Sequence, residues 1–277
     1  MRTKIKKILR PLYDKPLFDH FRAWLGFRPP FFLRPLKTTE TISDLFPWRV
    51  DDTWETQYDL MNIPSLVFPE KKFIDVTTMI FFDLKGREVS RKNFRLDPFE
   101  SKKILIRDTL EGASGHGTFC CFHSIEGQET IQGKQSYFND RQYVSYSWKG
   151  DNFWNYTHGN IFCLSKSPEE AYVRSIVPKQ PKIITYRPQL RMDDCNKFEL
   201  FYINPLEKPL DILVQGYDEN WIELERKKGV IPPRGLQVFE FENQSHSVVF
   251  VENLSRIGLL RPIVFKHYES FFDVLHG

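Results

Sequence analysis

Seven histidines are the first candidates for chemistry: His20, His116, His123, His158, His246, His267 and His276. None falls into an HxH, HExxH or HxxxH spacing, so no compact zinc motif is present. A site would have to be assembled from separate strands. His116 and His123 flank one apolar run, Thr118-Phe119-Cys120-Cys121-Phe122. His158 and His276 each stand before a glycine, each with an arginine upstream, Arg141 and Arg261. If two similar domains faced one another, His158 and His276 would converge with Asp273 or Asp140. Imidazole and carboxylate together suit a divalent metal or acid–base work.

A second constellation is aromatic and polar. Residues 137–160 carry Tyr143, Tyr146, Trp148, Phe153, Trp154 and Tyr156 among Asn, Asp, Ser and His residues. Tyrosine and tryptophan present a flat apolar face and a polar edge. Such a surface suits a sugar ring, whose C–H face stacks while its hydroxyls take hydrogen bonds. It suits a protein interface equally well. The expected ligand-binding residues are Arg141, Tyr143, Trp154, Tyr156, His158, Asn160, Arg261 and His276. The expected metal ligands, under an alternative reading, are His158, His276 and Asp273. Otherwise no cofactor is expected.

Other chemistries have little support. No GxSxG elbow, P-loop or GxGxxG fingerprint occurs. The four cysteines, Cys120, Cys121, Cys163 and Cys195, show no CxxC spacing. Reduced thiols are expected, and Cys120, Cys121 and Cys163 read as small strand hydrophobes.

The elements that must position these groups change in character along the chain. Residues 1–37 hold ten Lys/Arg and two Asp, a balance of +8, whereas the 277-residue chain totals +3. The rest therefore balances at −5. Ile5, Ile8, Leu9 and Leu12 recur at helical spacing, with Lys4, Lys6, Lys7 and Arg10 between them. Such an arm can adsorb to an anionic membrane surface, each basic residue adding about 1 kcal/mol. It can instead pack on the protein itself. Nucleic acid is not the expected partner, because no nucleic-acid fold signature accompanies the arm and the body is acidic.

No apolar run approaches the roughly 20 residues needed to span a bilayer. The basic start lacks the apolar stretch of a secretory signal. The expected location is the cytoplasm, with association at a membrane surface through the arm.

From residue 40 onward, short β-branched and aromatic runs alternate with turn signals. Expected strands include Phe73–Phe82, Lys103–Arg107, Thr118–His123, Tyr143–Trp148, Phe198–Ile203, Ile212–Tyr217, Leu236–Phe241 and Val248–Val251. Ser167-Pro168-Glu169-Glu170 opens either a short helix or a strand. The halves also echo one another. An apolar run ends at Asn62 and again at Asn204. A strand with an acidic turn follows, at Asp83 and at Asp218. A proline-marked turn comes next, and each half closes on His-Gly.

These patterns predict an all-β protein: two tandem, related antiparallel β-sandwich domains preceded by a basic helical arm. The expected boundaries are 1–37 for the arm and Pro-rich linker, 40–165 for the first sandwich, 166–179 for a junction and 180–277 for the second sandwich. The expected function is a non-enzymatic binding or accessory protein engaging a glycan or a glycan-assembly partner at a membrane surface. The alternatives are a metal-assisted enzyme with its site at the domain interface, and a structural assembly module.

Overall fold

Period-two burial shapes the strands. In Leu210–Tyr217, Leu210, Ile212 and Val214 are buried while Asp211 is exposed. The computed structural model describes residues 41–127, 139–140, 142–166, 172–243, 247–258 and 260–277. The expected arm, with Lys4, Lys6, Lys7 and Arg10, lies outside them, as do Arg141 and the Ser167–Glu170 start. Among the described residues no helix is long and apolar enough to cross a membrane.

In chain order the strands are β1 (Thr41–Val50), β2 (Trp54–Met61), β3 (Asp75–Asp83), β4 (Glu88–Leu96), β5 (Ser101–Leu105), β6 (Gly115–Ile125), β7 (Asn139–Asp140), β8 (Tyr143–Trp148), β9 (Asn155–His158) and β10 (Asn160–Lys166). They continue with β11 (Val173–Ser175), β12 (Ile184–Tyr186), β13 (Lys197–Ile203), β14 (Leu210–Tyr217), β15 (Glu223–Ile231), β16 (Leu236–Glu242), β17 (Phe250–Ser255), β18 (Ile263–His267) and β19 (Phe272–His276). A single helical turn, α1 (Ile63–Val67), follows β2.

These strands form four sheets. Their orders are β11-β10-β1-β6-β3-β4 with β7 beside β1, then β5-β2-β8-β9, β12-β17-β14-β15 and β16-β13-β18-β19. The sheets stand as the blades of a four-bladed β-propeller, which corrects the expectation of two tandem β-sandwich repeats. The packing shows why two self-contained sandwiches do not describe the chain. The larger hydrophobic cluster joins Phe46, Tyr58, Phe81 and Phe119 of the first half to Phe201, Ile203, Leu236, Ile263, Phe265 and Phe272 of the second. Trp54 sits at that seam, edge-on to Phe265 and Phe272 at 5.5 and 4.6 Å. A second cluster lies between the last two sheets, around Phe198, Leu200, Tyr202, Val214 and Phe241.

The asparagines and aspartates organise the connections. The Asn62 amide donates to the carbonyls of Phe73, Leu96 and Asp97, and its Oδ1 caps α1 by accepting from Ser65 N at 2.9 Å. Asn204 donates to the carbonyls of Lys208 and Ile231 and accepts from Leu206 N. Asp83 Oδ1 accepts from the amides of Lys85 and Arg87, closing the β3–β4 hairpin. Asp218 Oδ1 accepts from Asn220 and Ile222, closing β14–β15. Both hairpins carry a bulge beside the turn.

Both turns also need a left-handed residue, and they fill it differently. Gly86 takes φ +75°, and a Cβ there would meet the Pro233 carbonyl oxygen at 1.7 Å. Trp221 occupies the matching position at φ 61°. For an L-residue that backbone costs about 1–2 kcal/mol, which glycine avoids.

Candidate functional site

The expected aromatic edge forms on β8 and β9. Tyr143 lies directly opposite His158, and their rings stand 4.3 Å apart at 35°. Tyr156 faces Ser145 on the same side of the sheet. Tyr143 is 49% exposed and Tyr156 44% exposed, so both offer ring surface to solvent. On the opposite side Val144 and Tyr146 are buried, and the Tyr146 hydroxyl donates to the Pro47 carbonyl. Phe153, in the loop between the two strands, is exposed, while Trp154 is half-buried.

The other expected residues stand elsewhere. Asn160 begins β10 and pairs with Leu45 of β1. Arg261 is half-buried beside the Tyr186 side chain. His276, at the end of β19, lies opposite Ile263. Asp273 sits across from Lys266, and its Oδ1 accepts from Val274 N. The edges β9 and β19 do meet, through Asn155 donating to the Phe272 carbonyl at 3.0 Å. Among the described residues no group of three or more His, Cys, Asp and Glu side chains could hold a metal ion, so His158, His276 and Asp273 form no such set.

A cleft that the sequence reading missed lies between the halves. It has a volume of about 420 Å³, and its polar lining includes Arg49, Lys85, His116, Glu199 and Glu240. Glu199 Oε2 is the hub. It accepts from Arg49 Nη1 at 2.7 Å and sits 2.7 Å from His267 Nε2. The Arg49 guanidinium stacks 4.1 Å from the Trp54 ring centre. Lys197 bridges to Glu240 at 2.5 Å. One sequence signal existed: Lys197 and Glu199 share a strand face with Phe201 and Ile203, which enter the core.

Burial pushes the Glu199 carboxyl up. The His267 hydrogen bond and the nearby Arg49 charge outweigh it and hold the pKa at about 2. His116 packs 5.4 Å from the Phe201 ring, and burial, then the Arg49 charge, push its pKa down. Glu199 is thus a fixed anion that orients two cation-forming partners, rather than a proton donor poised near neutrality.

The depressed value sets a pH dependence. A carboxyl lowered from 4.5 to about 2 contributes on the order of 3 kcal/mol. That contribution is complete above pH 4.5 and is lost as pH falls toward 2. Urea unfolding measured across that window is expected to show the loss, and Glu199→Gln is expected to flatten it. An equally steep profile in the variant would assign the acid sensitivity to other carboxyls.

The chain matches no protein-family model and no curated protein, so the chemistry of this surface and this cleft follows from their own geometry.

Proposed function

We propose that the protein is a non-enzymatic binding or accessory protein whose β8–β9 edge contacts a glycan or a glycan-assembling partner. The basic arm would hold it at an anionic membrane surface. One observation carries the reading: Tyr143 packs at a tilt against His158 across the strands with Tyr156 beside them, and both tyrosine rings face solvent. Exposed aromatic rings with polar tips are energetically useful at a contact and add little to the fold. The four-bladed arrangement is also a frame that can present loops and edges to a partner.

Tyr143→Ala and Tyr156→Ala are the direct test. Each is expected to change stability by less than about 1 kcal/mol, since the rings are exposed. Each is expected to weaken binding of a responsive oligosaccharide at least tenfold, or about 1.4 kcal/mol. Calorimetric titration and thermal shift on the full chain read both quantities. Binding left intact by both substitutions would remove this edge from the contact.

A further inference from the structure

The two hairpin turns closed by Asp83 and Asp218 differ at one telling position. In the first, Gly86 is left-handed and pressed against Pro233, where no side chain fits. That turn docks on the second half, with Leu236 N donating to the Leu84 carbonyl. In the second, Trp221 holds the same left-handed backbone, yet it is 45% exposed and is followed by Ile222 at 60%. Docking explains the glycine but not the tryptophan, whose ring packs within its own sheet against Phe250, Tyr217 and the Arg187 guanidinium and still leaves the residue 45% exposed. A bulky aromatic kept in a conformation that favours glycine points toward a use for its ring.

The surroundings say what that use is. Trp221 lies parallel to Phe250, with ring centres 4.7 Å apart at 6°. Tyr217 stands 5.5 Å from Trp221 and pairs with Phe250 across the strands, so the three rings share one face of the β12-β17-β14-β15 sheet. Polar side chains rim that face. Glu252 accepts from Arg187 and, at 3.4 Å, from the Tyr217 hydroxyl. Gln215 donates to Glu223, which Arg226 holds through bonds of 2.8 and 2.7 Å.

The rim is electrically balanced. Arg187 and Arg226 are each matched by a carboxylate already in contact. Such a rim exerts little net pull on an ionic ligand. It offers fixed donors and acceptors beside a part-exposed indole, over which the Arg187 guanidinium stands 4.7 Å from the ring centre. A neutral polyhydroxyl ring complements both properties, with C–H groups against the indole and hydroxyls on the carboxylates and guanidinium. A protein partner would have to dehydrate the paired charges, which is costly. The face is open at its Trp221 and Arg187 end, while Gln215 and Glu252 are nearly buried at its centre, which suits a short run of sugar units.

We propose that the Trp221–Phe250–Tyr217 face is a binding surface for a neutral oligosaccharide. It lies on a different sheet from the Tyr143–Tyr156 edge and does not depend on that edge being a contact. Two such surfaces on one chain would raise the effective concentration for a long glycan.

The test is calorimetric titration of the full chain with maltohexaose, cellohexaose, mannohexaose and chitohexaose as probes. Trp221→Gly, Trp221→Tyr and Tyr156→Ala are compared with the parent. At least one probe is expected to bind. Trp221→Gly is expected to weaken that binding tenfold or more while keeping the thermal midpoint, because glycine suits the left-handed backbone. Trp221→Tyr retains an aromatic face and is expected to keep the affinity within tenfold, which guards against a folding artefact. Loss in Trp221→Gly alone supports this surface and counts against the edge. Loss in Tyr156→Ala alone overturns this surface and supports the edge. Binding of none of the four probes overturns the proposal, as does a Trp221-dependent complex formed only with a polypeptide.

Discussion

Glu199→Ala is expected to lower stability by about 3 kcal/mol, because it removes a buried carboxylate and strands its two partly buried partners. The Glu199 side chain is only 5% exposed, and Arg49 and His267 both lie 2.7 Å from it. Without the carboxylate, the guanidinium stays over Trp54 with a cation–π contact worth about 0.5–2 kcal/mol, too little to offset its lost hydration. Glu199→Gln keeps a hydrogen-bond acceptor and is expected to lose about 1–3 kcal/mol. The expected order in urea unfolding is therefore parent, then Gln, then Ala. Arg49 comes from the first half, and Glu199 and His267 from the second, so the same substitution should loosen the junction. A loss below about 1 kcal/mol for Glu199→Ala would mean that the pair is hydrated like a surface bridge. An Arg49→Ala/Glu199→Ala cycle separates the pairwise energy from the rest of the site.

What the sequence revealed was local. The run from Tyr143 to Trp148 forms a strand with the expected ends. Asp83 and Asp218 form the acidic turns, and Asn62 and Asn204 anchor connections, because turn chemistry is written within a few residues. Lys103–Arg107 divides differently: the strand stops at Leu105, and a tight turn spans Ile106–Thr109. Strands β4 and β15 went unread because they are sheet edges rich in charge, which protects an edge and erases the apolar alternation. The blade arrangement was illegible for a further reason. Sandwich and propeller strands share the same period and turns, and only long-range pairing separates them. The Arg49–Glu199 contact spans 150 residues and leaves only the weak mark of acid on a core-facing strand position. The aromatic edge was readable as a composition, whereas the Trp221 face needed the backbone angle to be noticed.

The buried Asp75–His123 pair carries the other large effect. Both side chains are fully inaccessible, and His123 Nδ1 lies 2.5 Å from Asp75 Oδ2. Thr77, directly across the strands from His123, approaches the same nitrogen at 3.4 Å. Asp75→Ala is expected to cost about 3–5 kcal/mol, since it removes the nearest charged partner of a polar ring that water cannot reach. The double substitution Asp75→Val/His123→Leu should recover most of that loss, because an apolar pair of similar volume needs no partner. Chemical denaturation of the two singles and the double gives the coupling directly. Recovery would identify the pair as a matched polar insertion whose two members need only each other. A double variant as unstable as the worse single would instead mean that the pair fixes geometry. The neighbouring α1 turn, which contacts both β3 and β6, would be the element to lose its place. The first outcome makes His123 a satisfied core histidine. The second makes it the post on which the Asn62 connection is hung.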